Sequence, residues 1–428
     1  MTKNAEMKAL LENAFLAGVR ASHPDTFLAI GDLRFAFRDA VARQKGRVIA
    51  LGAGKASAAM ARALEREWAL AGGSALEGLV VTREGYEAET NFIEIVTGGH
   101  PYPAQASEAI AARMLEMAKT LSADDMLIGL WSGGGSALLA CPPEGLAFEK
   151  LITLTKVLLS SGADIHEINT VRKHLSRVSG GRLAMAAAPA ALLNLIIPDV
   201  VGGEDSETLS AVASGPTVPD PTTVADAAHI LERFGQAAFV AHLTETPKTW
   251  DEIGVETRRT ILGDGITAVV AGESALERQG FKLAHKDAAV TGEAREVARA
   301  HAALAQKIGA RGEKAFIVTG GELTVTSAEG GQGGPNQEYA LALAIALEGA
   351  TGIAALAGDT DGIDGNGAAA GAFVFPDTLA RMRAGGVDPR QALESHNSGA
   401  AFAAIDDLLI SGPTQTNVND LRLIVING

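Results

Sequence analysis

A lysine follows two glycines at the end of a short apolar run, in the segment RVIALGAGKASAAMARALE at 47–65. Residues 48–51 have the length and branching of a buried parallel strand, and an alanine-rich helical segment follows Lys55. A glycine turn between a strand and a helix leaves N–H groups unpaired at the positive end of the helix dipole, where phosphate binds. We therefore predict that Gly52 and Gly54 bind phosphate beside Lys55. The alternative is a tight turn with a solvated lysine.

A second glycine-rich turn follows the apolar run 126–131 and has the sequence SGGGS. Three consecutive glycines destabilise a fold unless another group must approach the backbone closely. We predict that this turn cradles an anion through its backbone N–H groups, and the alternative is a flexible turn. The predicted nucleotide- or phosphate-binding residues here are Ser132, Gly133, Gly134, Gly135 and Ser136.

Basic side chains are concentrated in INTVRKHLSRVSGGRL at 168–183, although the chain has a formal net charge of −15. Arginine and lysine in this segment could neutralise a carboxylate or a polyphosphate. The alternative is a basic surface that is solvated or paired with acids. The residues that we assign to substrate binding are His100, Arg172, Lys173 and Asn336.

Carboxylates follow apolar runs at three places, which are Asp199 in IIPDVV, Glu322 in TGGE and Asp361 in GDTDGIDG. Carboxylates that converge on phosphate anchors suit Mg²⁺, which needs oxygen ligands and usually bridges to a nucleotide. We predict that Glu322 and Asp361 are metal ligands. A Ca²⁺ loop is the competing interpretation of DTDGIDGNG, but the glutamate that an EF-hand has at its twelfth position is missing.

Strand-like apolar runs alternate with helical segments along the whole chain, and this alternation must position the residues above. Predicted strands are 47–51, 78–82, 92–96, 126–131, 191–197, 267–271, 281–286, 314–319, 352–357 and 421–426. Predicted helices are 55–72, 104–121, 146–160, 164–178, 272–280, 292–308 and 336–347. The pattern predicts an α/β protein with ligands bound beyond the carboxyl ends of the strands.

The length of 428 residues predicts two domains. We expect a larger N-terminal domain with a Rossmann-like doubly wound sheet at 1–240 and a smaller C-terminal α/β domain at 241–428. The proline-rich segment GPTVPDPTT near 215–223 precedes the polar stretch in which we place this boundary.

Composition disfavours several classes of partner. An aromatic content of 4% and the net charge of −15 argue against nucleic acid and anionic membranes. The single cysteine, Cys141, excludes an internal disulfide and a thiolate-based zinc site. No apolar run has membrane-spanning length, and the first residues resemble an amphipathic helix rather than a signal peptide. We expect a cytoplasmic monomer or homodimer that acts on small molecules.

Several of these segments together resemble the type-2 glycerate kinase family. This is the MOFRL-containing group whose bacterial members in tartrate-utilisation clusters are often labelled hydroxypyruvate reductase. The matching segments are GAGKAS, SGGGSALL, HEINTVRKHLS, ASGPTVPDPTT, GGPNQEYALALA, GDTDGIDG and TNVNDLR. Two positions depart from many relatives, because Pro335 stands in place of an arginine and Pro198 in place of a serine.

The resemblance implies ATP- and Mg²⁺-dependent phosphorylation of D-glycerate to 2-phosphoglycerate, in a cleft between two α/β domains. Carried over by motif, it marks Lys55, Asp199, Glu322 and Asp361 as catalytic. As a hypothesis, Lys55 contacts the transferring phosphoryl group or the substrate carboxylate. Asp199 or Asp361 accepts the hydroxyl proton, and Glu322 helps to hold Mg²⁺.

The sequence is also compatible with two other functions. An NAD(P)H-dependent hydroxypyruvate reductase would use the partial dinucleotide fingerprint at 52–54, although Ser57 replaces its third glycine. The next predicted strand ends in Thr82-Arg83-Glu84, without the acidic residue expected at that place for NAD, whereas Arg83 would suit NADP. A non-catalytic nucleotide or sugar-acid binding protein would keep the anion cradles but would not need Asp199 or Asp361.

Overall fold

The computed structural model describes residues 3–29, 31–74, 76–199, 206–255, 258–262, 265–326 and 331–427. The chain divides into two compact units. The parallel-sheet unit comprises Pro24–Gly263, and the mixed-sheet unit comprises Met1–His23 together with Asp264–Gly428. The predicted α/β fold class is confirmed, and each unit has a six-stranded sheet of its own.

The strands are β1 Val48–Ala53, β2 Glu77–Arg83, β3 Ile93–Gly98, β4 Met126–Ser132, β5 Ala191–Ile197, β6 Arg258–Leu262, β7 Lys282–Asp287, β8 Gly292–Glu293, β9 Lys314–Thr319, β10 Leu323–Thr324, β11 Ile353–Asp359, β12 Gly371–Val374, β13 Leu408–Leu409 and β14 Asp420–Asn427. The helices are α1 Lys3–Ser22, α2 Pro24–Phe27, α3 Gly31–Arg43, α4 Ser57–Leu70, α5 Gln105–Lys119, α6 Gly135–Leu138, α7 Phe148–Ser160, α8 Ile165–His174, α9 Arg182–Ala187, α10 Ser206–Ala211, α11 Val224–Arg233, α12 Trp250–Ile253, α13 Ile266–Glu277, α14 Ala294–Gly309, α15 Pro335–Leu347, α16 Thr378–Ala384, α17 Pro389–Glu394 and α18 Ser398–Ala403. Two 3₁₀ segments are Val212–Ser214 and Ala237–His242. None of the described helices has the length and apolar character needed to cross a membrane.

The sheet of the parallel-sheet unit has the strand order β3-β2-β1-β4-β5-β6, and every neighbouring pair is parallel. Strands β1 and β4 are buried along their whole length, which explains their continuous apolar sequences. The strand order reverses between β1 and β4. In doubly wound sheets, ligands bind beyond the carboxyl ends of the strands at this reversal.

The sheet of the mixed-sheet unit has the order β13-β12-β11-β14-β9-β7, and only β7 and β9 are parallel neighbours. Strand β14 runs antiparallel to both β9 and β11, so it begins at the edge where those two strands end. In this register Asp420 lies opposite Asp359, and Arg422 lies opposite Thr319. The topology therefore places the first residues of β14 beside the turns that carry Glu322 and Asp361.

The division into units differs from the predicted boundary after residue 240. Residues 258–262 form the edge strand β6, which pairs with β5 and completes the parallel sheet. Helix α1 belongs instead to the mixed-sheet unit, where it packs on α13. The side chain of Phe15 in α1 is fully buried in the hydrophobic core of that unit. Because α1 packs against a helix that is distant in the sequence, the residues around α1 give no sign of the boundary between the units.

One predicted strand is wrong, because residues 267–271 lie in helix α13 rather than in a strand. The buried residues of this helix are Ala268, Val269, Gly272 and Leu276, which lie on one helical face. The short apolar run fits either secondary structure, and the tertiary contact with α1 decides between them. That contact is close, since a Cβ on Gly18 would lie 2.9 Å from the carbonyl oxygen of Ala268.

Gly18→Ala should destabilise the mixed-sheet unit. The added Cβ would also lie 2.6 Å from Leu421 Cδ2, and overpacking of this kind costs about 1–3 kcal/mol, more than the helix propensity that alanine gains. We expect the Tm of this unit to fall by about 2–6 °C in calorimetry. Gly367→Ala is the control, because its new Cβ would meet no atom closer than 3.9 Å. Equal Tm values for the two variants would contradict the close packing of α1 on α13.

Candidate active site

The two glycine-rich turns that the sequence singles out form one structure at the carboxyl ends of β1 and β4. The backbone N–H of Lys55 donates to the carbonyl oxygen of Gly133, at 2.9 Å. The N–H of Ala56 donates to Ser132 Oγ at 3.0 Å, and Ser57 Oγ lies 3.1 Å from the same oxygen. These bonds fix the backbone of Lys55 at the point where the strand order reverses.

The predicted phosphate cradle at Gly52 and Gly54 stays a prediction, but the backbone donors of this turn are already used within the fold. The backbone N–H groups of residues 54–57 all have acceptors within the protein. The glycines serve packing instead, because a Cβ on Gly54 would lie 2.2 Å from Ser132 Oγ and one on Gly52 would lie 2.5 Å from the carbonyl oxygen of Leu130. Gly54 also has a φ of +139°, which a larger residue rarely adopts.

The triglycine turn keeps the donors that the first turn lacks. Among the described residues, the backbone N–H groups of Gly134, Gly135 and Ser136 have no hydrogen-bond acceptor. Gly134 is left-handed, with a φ of 82°, and a Cβ on Gly135 would lie 2.7 Å from the carbonyl oxygen of Ala53. Successive N–H groups in such a turn form a concave site for anions. The predicted phosphate binding by this turn stays a prediction, and the geometry favours it.

Positive charge surrounds His100, which follows β3 beside the triglycine turn. A Cβ on Gly134 would lie 3.0 Å from His100 Nε2 and 3.4 Å from Lys55 Cγ, so these two side chains flank the turn. Burial, together with the charges of Lys55, Arg83 and Arg172, lowers the pKa of His100 to about 3. The imidazole is therefore neutral at pH 7. Its buried Nδ1 has no hydrogen-bond partner among the described residues.

Arg172 is a partly buried cation without an acidic partner in the described part of the chain. Its recorded hydrogen bond is a long one, from Nη1 to Asn169 Oδ1 at 3.5 Å. Burial lowers the pKa of Arg172 to about 10, which leaves it charged at pH 7. Ser214 Oγ, on a residue with a φ of 58°, donates to Ser136 Oγ at 2.8 Å and lies 3.3 Å from Asn169 Oδ1. This network joins Arg172 to the triglycine turn.

The site therefore includes Asn169 and Ser214, which residue-by-residue reasoning did not single out, and Arg83, which the sequence suggested only as a residue that would suit NADP. The first two lie inside the family motifs HEINTVRKHLS and ASGPTVPDPTT, and this is the signal that could have found them. The positive φ of Ser214 has no signature in its residue type, since serine at such a position is uncommon.

The assignment of Lys173 to substrate binding is not supported by its position. Its ammonium is buried and donates to Asp220 Oδ1 at 2.6 Å. Burial alone would raise the pKa of Asp220, but Lys173 and the bonds from Thr222 lower it below the usual range. Arg182 is also used by the fold, because its Nη1 donates to the carbonyl oxygen of Lys173 at 2.6 Å. The basic segment thus contains structural cations beside Arg172.

Asp199 lies two residues beyond the end of β5, at the same carboxyl edge as the glycine turns. Strand β5 pairs with β4 in a register that places Ile197 opposite Ser132, the first residue of the triglycine turn. The residue is partly exposed. This placement is compatible with a carboxylate that faces a ligand at this edge.

The predicted acids of the mixed-sheet unit lie at one edge of its sheet, in the turns after β9 and β11. Asp361 is fully buried, and its Oδ1 accepts from the N–H of Ile363 at 2.8 Å. Its own N–H donates to Asp359 Oδ1 at 2.9 Å. Glu322 is exposed. The described residues hold no group of three or more His, Cys, Asp or Glu that could bind a metal, whereas Mg²⁺ often takes only one or two carboxylates and completes its shell with phosphates and water.

Asn336 holds two buried carboxylates, and the structure does not support its assignment to substrate binding. Its Nδ2 donates to Asp420 Oδ1 at 2.6 Å and to Asp364 Oδ1 at 3.3 Å. Burial and the charge of Asp420 together raise the pKa of Asp364 to about 7, against the hydrogen bonds from Gln337 and Asn336. Burial likewise raises the pKa of Asp420. Asn336 is therefore a structural link between these acids.

The structure thus brings Lys55, His100, Arg172 and Asp199 to the carboxyl edge of one sheet and Glu322 and Asp361 to an edge of the other. The expectation that both sets meet in a cleft stays a prediction. A family model described as "Domain of unknown function (DUF4147)" matches residues 10–245, and one described as "MOFRL family" matches residues 315–420. The chain belongs to the DUF4147–MOFRL family. The resemblance found in the sequence is confirmed.

Relatives of this family member carry two kinds of name. A "Putative hydroxypyruvate reductase" of Agrobacterium vitis is 46% identical over 90% of this chain and 88% of the relative. A "D-glycerate 2-kinase" of Thermotoga maritima is 38% identical over 89% of this chain and 91% of the relative. The crystal structure of a glycerate kinase from Thermotoga maritima matches with a TM-score of 0.83 and 35% identity, covering 99% of this chain and 100% of that one.

Lys173→Met should destabilise the parallel-sheet unit strongly. The substitution leaves the Asp220 carboxylate buried without its cation, and breaking a buried pair in this way costs about 3–5 kcal/mol. We expect the urea midpoint of this unit to fall accordingly. Lys119→Met is the control, because Lys119 forms an exposed pair with Glu116 whose loss should change stability by at most about 1 kcal/mol.

The pH dependence provides a second check on the same pair. The lowered pKa of Asp220 means that its stabilising contribution is present above the ordinary aspartate pKa of about 3.9 and disappears as the pH falls through the folded value. The stability difference between wild type and Lys173→Met should therefore shrink in acid. A difference that is constant from pH 7 to pH 2 would contradict an ionic role for Lys173.

Proposed function

We propose that this protein transfers a phosphoryl group from ATP to the 2-hydroxyl of D-glycerate. The observation that carries the proposal is the anion site at the reversal point of the parallel sheet. It combines the unpaired N–H groups of residues 134–136 with three cations around the neutral His100. In a chain with a net charge of −15, this local positive charge suits two anionic substrates. The glycerate kinase names of the relatives support the same activity.

The chemistry of phosphoryl transfer consists mostly of positioning and charge neutralisation, and the described side chains suit these tasks. The triglycine turn binds nucleotide phosphates through its N–H groups. Lys55 stabilises the charge of the transferring phosphoryl group, and Arg172 binds the glycerate carboxylate. Asp199 or Asp361 orients the 2-hydroxyl and accepts its proton.

Glu322 and Asp361 would hold Mg²⁺ in this proposal. The oxygen-only donor set fits the ion, and nucleotide phosphates and water would supply the remaining ligands. When it is bound, Mg²⁺ neutralises charge on the nucleotide phosphates. The small-molecule partners, the cytoplasmic location and the monomeric or homodimeric state all stay predictions.

A hydroxypyruvate reductase is the second candidate, because the strand order and the name of one relative favour it. A dinucleotide pyrophosphate binds N–H groups at the first strand-to-helix turn of such a sheet. Here the N–H groups of residues 54–57 are already bonded within the protein. Strand β2 ends at Arg83, which would suit NADP rather than NAD, so the evidence against the reductase is the bonded N–H groups of the first turn. The geometry therefore favours the kinase.

One assay separates the candidates. Purified protein with D-glycerate, ATP and Mg²⁺ should form ADP and 2-phosphoglycerate, whereas NADPH with hydroxypyruvate should show no turnover. NADPH oxidation without ADP formation would replace the kinase by the reductase. Binding of ATP or glycerate without either reaction would identify a non-catalytic binding protein.

Lys55→Met should lower kcat/KM by about 10²–10³-fold, since removing one preorganised charge contact costs about 3–4 kcal/mol of transition-state stabilisation. The methionine keeps the length of the side chain, so the Tm should change little. The measurement is steady-state ADP formation, with the exposed Lys150→Met as the control. Activity near that of wild type would remove Lys55 from the proposed mechanism.

Arg172→Gln should raise the KM for D-glycerate by about 10–100-fold, because a charge-assisted hydrogen bond contributes about 1.5–3 kcal/mol. The KM for ATP should remain close to that of wild type if Arg172 contacts the carboxylate and not the nucleotide. The exposed Arg113→Gln serves as the control for loss of a positive charge. A rise confined to the KM for ATP would instead assign Arg172 to the nucleotide.

A further inference from the structure

Arg422 of β14 forms hydrogen bonds with the backbone just before Glu322. Arg422 Nη2 donates to the carbonyl oxygens of Gly320, at 3.2 Å, and of Gly321, at 3.0 Å. Gly321 has a φ of +90°, and a Cβ there would lie 2.2 Å from the carbonyl oxygen of Val290. The backbone before Glu322 is therefore held between Arg422 and the loop that contains Val290.

Asp420 bonds both sides of the same turn. Its N–H donates to the carbonyl oxygen of Gly321 at 3.2 Å, and its Oδ2 accepts from the N–H of Leu323 at 3.3 Å. The same carboxylate oxygen lies 3.1 Å from Arg422 Nη2. The backbone groups before and after Glu322 are thus bonded to one ion pair.

This ion pair lies in the interior of the mixed-sheet unit. Arg422 is 1% exposed and Asp420 is 6% exposed. The guanidinium lies 5.7 Å from the ring centre of Tyr339, and its Nε and Nη1 have no hydrogen-bond partner in the described part of the chain. Desolvation makes a buried ion pair a poor source of stability, whereas the contacts of this pair hold the backbone of one turn.

Asp420 also connects the turn of Glu322 to the turn of Asp361. In the antiparallel register it lies directly opposite Asp359, the last residue of β11. The Asp359 carboxylate accepts from the N–H of Asp361 at 2.9 Å. One short segment of β14 is therefore bonded to the first turn and paired with the strand that leads into the second.

We propose that Asp420 and Arg422 are positioning residues that fix Glu322 relative to Asp361. The inference rests on the proposed function, in which those two carboxylates hold Mg²⁺. Neither Asp420 nor Arg422 contacts substrate in this proposal. Their effect passes through the backbone of residues 320–323. Every contact of Arg422 there is made by Nη2, and a lysine, whose ammonium ends one bond short of that atom, should not replace it.

Arg422→Lys in the full-length protein tests the proposal without removing the charge. We expect amide hydrogen exchange of residues 320–323 to become at least about tenfold faster, since the shorter lysine does not reach the two carbonyl oxygens that Nη2 holds. The dissociation constant for Mn²⁺, measured with a non-hydrolysable ATP analogue, should rise by about 10–100-fold, as for other residues that orient metal ligands. The KM for D-glycerate should be unchanged. Arg383→Lys, at an exposed position on α16, is the control.

A lower Tm with unchanged amide exchange and unchanged Mn²⁺ affinity would overturn the proposal, because the pair would then be structural only. If Arg422→Lys does not fold, Asp420→Asn decides by the same measurements, since it keeps the size of the side chain and removes the ionic contact. Wild-type protein without kinase activity would refute the proposed function. Wild-type kinase activity with unaltered Mn²⁺ binding in the variants would refute the positioning role alone.

Discussion

The hydrogen bonds between the turns after β1 and β4 are the constraint on which the anion site depends. Ser132 Oγ accepts from the N–H of Ala56, and Gly133 accepts from the N–H of Lys55. This contact requires a residue without a Cβ at position 54. Because the first turn uses its own N–H groups for this purpose, it contributes a lysine charge to the site, while the triglycine turn contributes the backbone donors.

Helix α8 carries two neighbouring cations, Arg172 and Lys173, whose charges are compensated differently. The ammonium of Lys173 is neutralised by Asp220, so its burial is compensated inside the fold. Arg172 has no comparable partner in the described residues, and its lowered pKa records the cost of partial burial. An anion that binds beside Arg172 would remove part of that cost, so the free energy of desolvation already spent in folding would favour binding. The charge of Lys173 thus stabilises the fold, whereas the charge of Arg172 is suited to binding an anion.

The parallel sheet was largely predictable, because strands that are buried on both faces read as continuous apolar runs. The mixed-sheet unit was less predictable. The sequence of residues 267–271 fits a helix as well as a strand, and only the contact with α1 decides between them. The catalytic candidates could be found from motifs at strand ends. The assignments of Lys173 and Asn336 to substrate binding stay predictions that their contacts do not support. Their partners Asp220 and Asp420 are distant in sequence, and residue type alone does not show that a polar group is already paired.

The antiparallel insertion of β14 explains why the acids of the mixed-sheet unit depend on a distant strand. In an all-parallel sheet, only carboxyl ends of strands meet at the edge that carries the turns. Here β14 begins at that edge, so Asp420 and Arg422 can bond the backbone around Glu322 while Asp420 pairs with Asp359. A loop could supply the same hydrogen bonds, but a central strand fixes their register through ladder bonds on both sides. In the proposed arrangement, a buried strand of the sheet sets the spacing between the turns that carry Glu322 and Asp361.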